Sequence, residues 1–70
     1  MRVQPRECIV VEDSAVGVAG GVAAGMTVIG FIGGGHAGTQ LGNHLRKAGA
    51  RAVISDMRAL KSTIIDLRGW

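Results

Sequence analysis

The stretch CIVVEDSAVGVAGGVAAGMTVIGF, residues 8–31, determines the fold expected of this chain. Residues 8–11 are apolar and mostly β-branched, which is typical of a strand buried on both faces. A helix is predicted over residues 15–24 and ends at Gly25. A second apolar strand is predicted over residues 27–32. A strand, a helix and a strand joined by short turns predict a parallel βαβ unit.

The rest of the chain continues the same alternation. After a glycine-rich loop, a helix is predicted over residues 40–48 and a third short strand over residues 52–54. Ser55 or Asp56 can cap a last helix, which extends to about residue 67 and carries apolar side chains at helical spacing. The order βαβαβα predicts an α/β fold, a Rossmann-like three-layer sandwich fragment with short parallel strands.

Composition limits the class of protein. The chain has 70 residues, of which 47% are hydrophobic and 12 are glycine. The glycines show no collagen period, the apolar fraction is too high for a disordered tail, and the single Cys8 excludes an internal disulfide. A chain of this length buries only about 60% of the surface that its unfolded form exposes. We therefore expect part of a larger domain.

Charge and hydropathy argue against two classes of partner. The net charge is +3, and six of the eight basic residues follow position 45 without interleaved aromatic residues or a zinc-finger motif. This pattern predicts a solvated helical face and no nucleic-acid partner. Residues 15–35 carry no charge and are long enough to cross a bilayer. Eight of those 21 residues are glycine, so we expect no membrane span.

Two adjacent carboxylates, Glu12 and Asp13, follow the first predicted strand. Ligands of parallel α/β sheets gather at the carboxyl ends of the strands, and adjacent negative charges there favour a bound cation. Mg²⁺, which prefers oxygen ligands, is the natural candidate. The alternative is that Asp13 or Ser14 only caps the following helix and that Glu12 is a surface charge.

A set of motifs is spread over about residues 5–66. Its segments are Pro5-Arg6-Glu7-Cys8-Ile9-Val10-Val11-Glu12-Asp13-Ser14, Gly17-Val18, Ala23-Ala24-Gly25-Met26, Val28-Ile29-Gly30-Phe31, Gly33-Gly34 with His36, Ala48-Gly49-Ala50 and Asp56-Met57-Arg58-Ala59-Leu60. Together they resemble the C-terminal part of haloacid dehalogenase (HAD)-like hydrolases, most of all the β-phosphoglucomutase-like and phosphoglycolate phosphatase-like enzymes.

The resemblance implies a cytoplasmic, Mg²⁺-dependent phosphatase or phosphomutase that acts on a small phosphorylated metabolite through an aspartyl-phosphate. Glu12 and Asp13 would hold the metal, with Asp13 as the more direct ligand because neighbouring side chains at a strand end diverge. The family's nucleophilic Asp-x-Asp motif does not occur in residues 1–70, where the other aspartates are Asp56 and Asp66. Its upstream lysine and its cap domain are not found either. Residues 1–70 are therefore expected to form the C-terminal segment of the core domain, without a catalytic nucleophile.

An alternative of another class comes from the spacing Gly33-x-Gly35-x-x-Gly38, which follows a strand, opens a helix and precedes Asp56 by 18 residues. This pattern is typical of a dinucleotide-binding segment of an NAD(P)-dependent reductase, with the acid on a ribose hydroxyl. It leaves residues 1–25 without a role. The hydrolase interpretation treats Asp56 as a helix cap.

A third hypothesis is that the isolated chain is an inactive remnant or the assembly partner of a complementary fragment. Because three parallel strands leave open sheet edges, we expect self-association or incomplete folding, and no magnesium-dependent hydrolysis. His36 and His44 have no third metal ligand nearby in the sequence. Cys8 is expected to pack as a reduced thiol, and Trp70 to cover apolar surface or fray.

Overall fold

The computed structural model describes residues 7–33 and 38–68. Three strands alternate with three helices along the chain: β1 (Ile9–Glu12), α1 (Ala15–Ala23), β2 (Thr27–Phe31), α2 (Gly38–Ala48), β3 (Ala52–Ile54) and α3 (Leu60–Arg68). The predicted order βαβαβα and the α/β, Rossmann-like class are confirmed. Each boundary predicted for a strand lies within one residue of the observed one. The last helix differs from its prediction, because a separate 3-10 turn precedes α3.

The sheet has the order β1-β2-β3, and both strand pairs are parallel. In the central strand β2, Val28, Ile29 and Gly30 are buried, whereas all four residues of β1 are only half-buried. The prediction that β1 is buried on both faces is therefore wrong. Within the part of the chain that the structure describes, β1 pairs with β2 alone, so one of its edges remains accessible. Cys8 lies half-buried just before β1, and its carbonyl accepts a hydrogen bond from the Thr27 N–H at 3.0 Å.

The main hydrophobic core lies on one face of the sheet, where α1 and α2 also contact each other. Its fully buried side chains are Val18 of α1, Val28 of β2 and Leu45 of α2. Side chains alternate between the faces of a strand, so Ile29 points to the opposite face, where it too is fully buried. The sheet is thus covered most completely along β2.

Glycines have two distinct roles, one within α1 and one just after it. At the carboxyl end, Gly25 has φ of +83°, and the N–H groups of Gly25 and Met26 donate to the carbonyls of Val22 and Gly21. This is the 5→2 and 6→1 pattern that ends a helix at a left-handed residue, which confirms the predicted stop. Within the helix, a Cβ at Gly21 would lie 2.7 Å from Cγ2 of Val28. The missing side chain therefore lets α1 lie close to the sheet.

The segment after β3 is less buried than the sheet. A single 3-10 turn, Met57–Ala59, leads from β3 into α3, which ends where a guanidinium N–H of Arg68 donates to the Glu7 carbonyl at 3.0 Å. No residue of α3 is fully buried, and Met57 is 49% exposed. An open apolar groove of about 580 Å³ runs along the 3-10 turn and α3. It is lined by Met57, Leu60, Lys61, Ile64 and Ile65. Among residues 7–33 and 38–68, no helix is both long and apolar enough to span a bilayer.

Candidate functional site

The carboxyl ends of the three strands meet at one edge of the sheet because all strand pairs are parallel. Glu12, the last residue of β1, is in register with Gly30 of β2, and Phe31 of β2 is in register with Ile54 of β3. The chain segments that leave this edge contain Asp13 after β1 and Asp56 after β3. The fold therefore brings the acidic residues that follow β1 and β3 to the same side of the molecule.

The residue that caps α1 is Ser14. Its backbone is extended, with φ −128° and ψ 150°, and its hydroxyl accepts a hydrogen bond from the Gly17 N–H at 3.0 Å. A serine in this position satisfies one of the free donors of the first helical turn. Asp13 lies one residue earlier, exposed, and takes no part in the cap. The alternative in which Asp13 serves only as the helix cap is therefore wrong.

Glu12 is not a solvated surface charge either. It is half-buried at the end of β1 and lies two residues after Val10, so its side chain shares the face of the sheet on which α1 packs. A Cβ placed on Gly17 would lie 2.6 Å from Cδ and 3.1 Å from Oε2 of Glu12, and closer still to Oε1. The Glu12 carboxylate therefore lies directly against the first turn of α1.

No cationic side chain neutralises these two acids within residues 7–33 and 38–68. Neither the Glu12 nor the Asp13 carboxylate has an ion-pair or hydrogen-bond partner there. The N-terminal end of α1, with its aligned peptide dipoles, supplies positive potential at this strand end. Among the described residues, nothing therefore occupies the two carboxylates at the end of the half-buried β1, and both can accept a cation.

Asp56, after β3, is placed very differently. Arg58 binds its carboxylate through Nε at 3.0 Å and through Nη2 at 2.6 Å, and the Arg58 backbone N–H donates to it at 2.8 Å. The side-chain hydrogen bonds from Arg58, followed by the backbone one, lower the pKa of Asp56 below its ordinary value of 3.8. Asp56 also caps the 3-10 turn, so its interpretation as a cap is confirmed and Ser55 does not have that role.

The dinucleotide alternative gains no support from this arrangement. Its acid, Asp56, already has both carboxylate oxygens engaged by Arg58. Of the glycines in the pattern, Gly33 has φ of +60° after β2, Gly38 begins α2, and Gly35 lies outside the described residues.

The donor set of the β1 end fits Mg²⁺. This ion takes one or two protein carboxylates and completes an octahedral shell with waters or substrate oxygens. Among the described residues, no group of three or more His, Cys, Asp or Glu side chains is assembled as a metal cage. A closed structural zinc site, which needs four protein ligands, is therefore not what Glu12 and Asp13 form. Gly17 adds a recess in which the Glu12 carboxylate is accommodated.

The remaining candidates from the sequence do not join this site. His44 is exposed on α2, and Cys8 lies at the start of β1, away from its carboxyl end. His36 and Trp70 lie outside the described residues.

Two solved structures are similar to this chain. A conserved haloacid dehalogenase-like protein of unknown function from Agrobacterium tumefaciens matches 94% of this chain at 40% identity, with a TM-score of 0.85. A HAD family hydrolase from Deinococcus radiodurans R1, with bound phosphate and sodium, matches 91% of this chain at 33% identity, with a TM-score of 0.78. These neighbours support a haloacid dehalogenase-like assignment for this chain.

Both haloacid dehalogenase-like neighbours are longer proteins, since this chain spans 30% of the first and 28% of the second. The similarity covers nearly all of this chain and favours the hydrolase interpretation over the dinucleotide-binding one. The narrower subfamily rests on the sequence motifs alone. No protein-family model matches the chain, and a search of curated proteins gave no match.

Two features of this carboxyl edge were not predicted from the sequence. One is the contact between the Glu12 carboxylate and Gly17, for which the only signal is a glycine in the first turn of the next helix. The other is the Asp56–Arg58 ion pair, whose signal is the Asp-x-Arg spacing at the start of a helix.

Proposed function

We propose that this chain supplies the acidic metal-binding motif of a Mg²⁺-dependent haloacid dehalogenase-like hydrolase of the phosphatase or phosphomutase type. The observation that carries the proposal is the end of β1, where Glu12 and Asp13 have no cationic partner among the described residues and Ser14 provides the helix cap. The solved neighbour with bound phosphate and sodium supports an anion and a cation as ligands of such a protein.

The two carboxylates have different roles in this proposal. Asp13 is exposed, so its oxygens can ligate the metal directly. The Glu12 carboxylate, against the first turn of α1, is less free to move and can ligate or hold a coordinated water. When bound, Mg²⁺ supplies charge stabilisation for a phosphoryl group.

The rest of the proposed enzyme lies outside these residues. The nucleophilic aspartate, the groups that hold the phosphoryl oxygens and the substrate-selecting cap would belong to a longer protein or to a complementary chain. The motif resemblance supports a small phosphorylated metabolite as substrate and a cytoplasmic location. The outer edge of β1, which has no strand partner among the described residues, supports association with a second chain or a second copy.

The metal site can be tested on the chain itself with paramagnetic Mn²⁺ as a probe for Mg²⁺. In amide NMR spectra we expect Mn²⁺ to broaden the signals of residues 12–14 first, and excess Mg²⁺ to restore them. Asp13→Asn should weaken Mn²⁺ binding at least about tenfold, because a charged ligand is lost. In an enzyme that contains this segment, the same change should sharply reduce Mg²⁺-dependent turnover, and Glu12→Gln should reduce it less.

The matched control is Asp56→Asn, which removes a carboxylate at the same edge that is already paired with Arg58. It should leave the Mn²⁺ affinity unchanged. Broadening centred on residues 56–58, or equal affinity in the Asp13→Asn variant, would overturn the proposed site.

A further inference from the structure

The contact between Glu12 and Gly17 differs in kind from the contact that Gly21 makes in the same helix. At Gly21, a Cβ would meet the methyl groups of Val28 and Val10, so that glycine allows the helix to pack on the sheet. At Gly17, the three nearest atoms to such a Cβ all belong to the Glu12 carboxyl group. No core side chain lies among them.

A Cβ at position 17 would therefore first displace the Glu12 carboxylate. The displaced group is the far end of a flexible side chain at a half-buried strand end, and it can rotate away from the helix. Because Gly17 and Gly21 are four residues apart, they lie on the same side of α1, over Glu12 and Val10 respectively. The strand positions match, since Val10 and Glu12 alternate onto one face.

The position of the carboxylate also suits its charge. The first turn of α1 contains no acidic residue, and its peptide dipoles point their positive end toward Glu12. The Gly17 N–H already donates to Ser14, so the carboxylate is held there by space and by potential, with no hydrogen bond of its own among the described residues. A carboxylate that already lies in this position needs little rearrangement to ligate a cation.

We propose that Gly17 is a positioning residue, which holds the Glu12 carboxylate beside Asp13 in the orientation that binds the metal. The inference rests on the proposed metal function of Glu12 and Asp13. It adds that the affinity depends on the absence of a side chain at a position that is itself no ligand.

The test compares Gly17→Ala with Gly20→Ala. A Cβ at Gly20 would meet no atom within 4 Å, so this variant changes the same helix without touching the site. We expect Gly17→Ala to weaken Mn²⁺ binding about tenfold, as loss of an orienting neighbour does at other metal sites. Gly20→Ala should retain the affinity of the unsubstituted chain. Unchanged affinity in Gly17→Ala would overturn the proposal.

A metal-free measurement separates the contact from the metal function. Gly20→Ala should raise the midpoint of thermal unfolding by about 4 °C or more, because alanine favours the helix. Gly17→Ala should raise it less, since it displaces the carboxylate. In a Glu12→Ala background the carboxylate is absent, so Gly17→Ala should raise the midpoint of unfolding more than it does in the original chain. In that background Gly17→Ala should also leave the Mn²⁺ affinity unchanged.

The outcomes distinguish two failures. Additive shifts of the midpoint for Gly17→Ala and Glu12→Ala would show that the two residues are not in contact, and would overturn the positioning role alone. If the unsubstituted chain shows no Mn²⁺ broadening at residues 12–14, the proposed function fails, and the metal role of Gly17 fails with it, whatever the midpoints show.

Discussion

The carboxyl ends of β1 and β3 both lead into an aspartate, but only the aspartate after β3 has a cationic partner among the described residues. Each strand is followed by an aspartate, and each lies at the start of a helical segment. After β3, the acid that caps the 3-10 turn is also the one that is neutralised. Asp56 caps the turn, and its Oδ2 lies 2.6 Å from Nη2 of Arg58. After β1, the cap is provided by Ser14, and the two acids have no such partner among the described residues.

The difference in partners distinguishes Asp56, which has a structural role, from Glu12 and Asp13, which are candidates for a functional one. A carboxylate that caps a helix and binds an arginine has its acceptor sites occupied. A strand end that carries two carboxylates and a separate cap leaves those sites available to an external cation. The presence of an acid at the carboxyl edge is therefore less informative than the identity of its partners.

The largest of the remaining effects is expected when a cation is introduced at position 16, three residues after Asp13. Val16, in the first turn of α1, is 85% exposed, so Val16→Arg introduces a guanidinium without disturbing the core. We expect Mn²⁺ affinity to fall about tenfold, equivalent to about 1.4 kcal/mol. The loss should shrink in high salt, because exposed charges are screened. Titration of Mn²⁺ at two ionic strengths measures both effects.

Val16→Gln is the matched control for this prediction. It changes the size and polarity of the same exposed side chain without adding charge, and should alter neither Mn²⁺ affinity nor stability by more than about 0.5 kcal/mol. An equal loss of affinity in both variants would attribute the effect to shape, and the electrostatic account of the β1 end would be wrong.

A smaller effect is expected for the cap at the β1 end. Ser14→Ala removes the hydroxyl that accepts from the Gly17 N–H and should lower the free energy of unfolding by about 1 kcal/mol. Urea denaturation measures this change. Ser62→Ala is the control, because the Ser62 hydroxyl only donates back to the Ala59 carbonyl within an exposed helical turn. Ser62→Ala should be neutral or slightly stabilising. Equal losses in the two variants would contradict the capping role of Ser14.

The smallest effect concerns acid at the β3 end. The pKa of Asp56 is lowered in the folded chain, first by the side-chain hydrogen bonds of Arg58. Its contribution to stability is therefore present above pH 3.8, its ordinary pKa, and is lost as the pH falls through the lower folded value. We expect the stability difference between the original chain and Asp56→Asn to be small, since the pair is exposed, and to vanish on acidification below that range.

Urea denaturation of both chains from neutral pH into strong acid, below the folded pKa of Asp56, measures this difference in stability. The carbon NMR shift of the Asp56 carboxyl follows its titration directly, and Arg58→Gln should move the pKa of Asp56 back toward its ordinary value. A difference in stability that persists unchanged into strong acid would show that the ion pair does not form in solution.

Much of the fold could be predicted from local patterns. The apolar runs predicted the three strands, Gly25 predicted the end of α1, and the alternating order predicted a parallel sheet. The half-buried β1 could not be predicted, because an apolar β-branched run looks the same at a sheet edge as at its centre. The apolar spacing after β3 correctly predicted a helix, yet it did not show that α3 would leave Met57 and its neighbours around an open groove.

The sequence by itself determined the element order, the placement of Glu12 and Asp13 at the carboxyl edge, and the candidates for each helix cap. These follow from periodicity and turn chemistry within a few neighbouring residues. Tertiary structure decided which candidate caps each segment, which strand is central, and that the Glu12 carboxylate lies on Gly17. Those properties depend on the approach of one packed element to another, and a linear pattern contains no distances between elements.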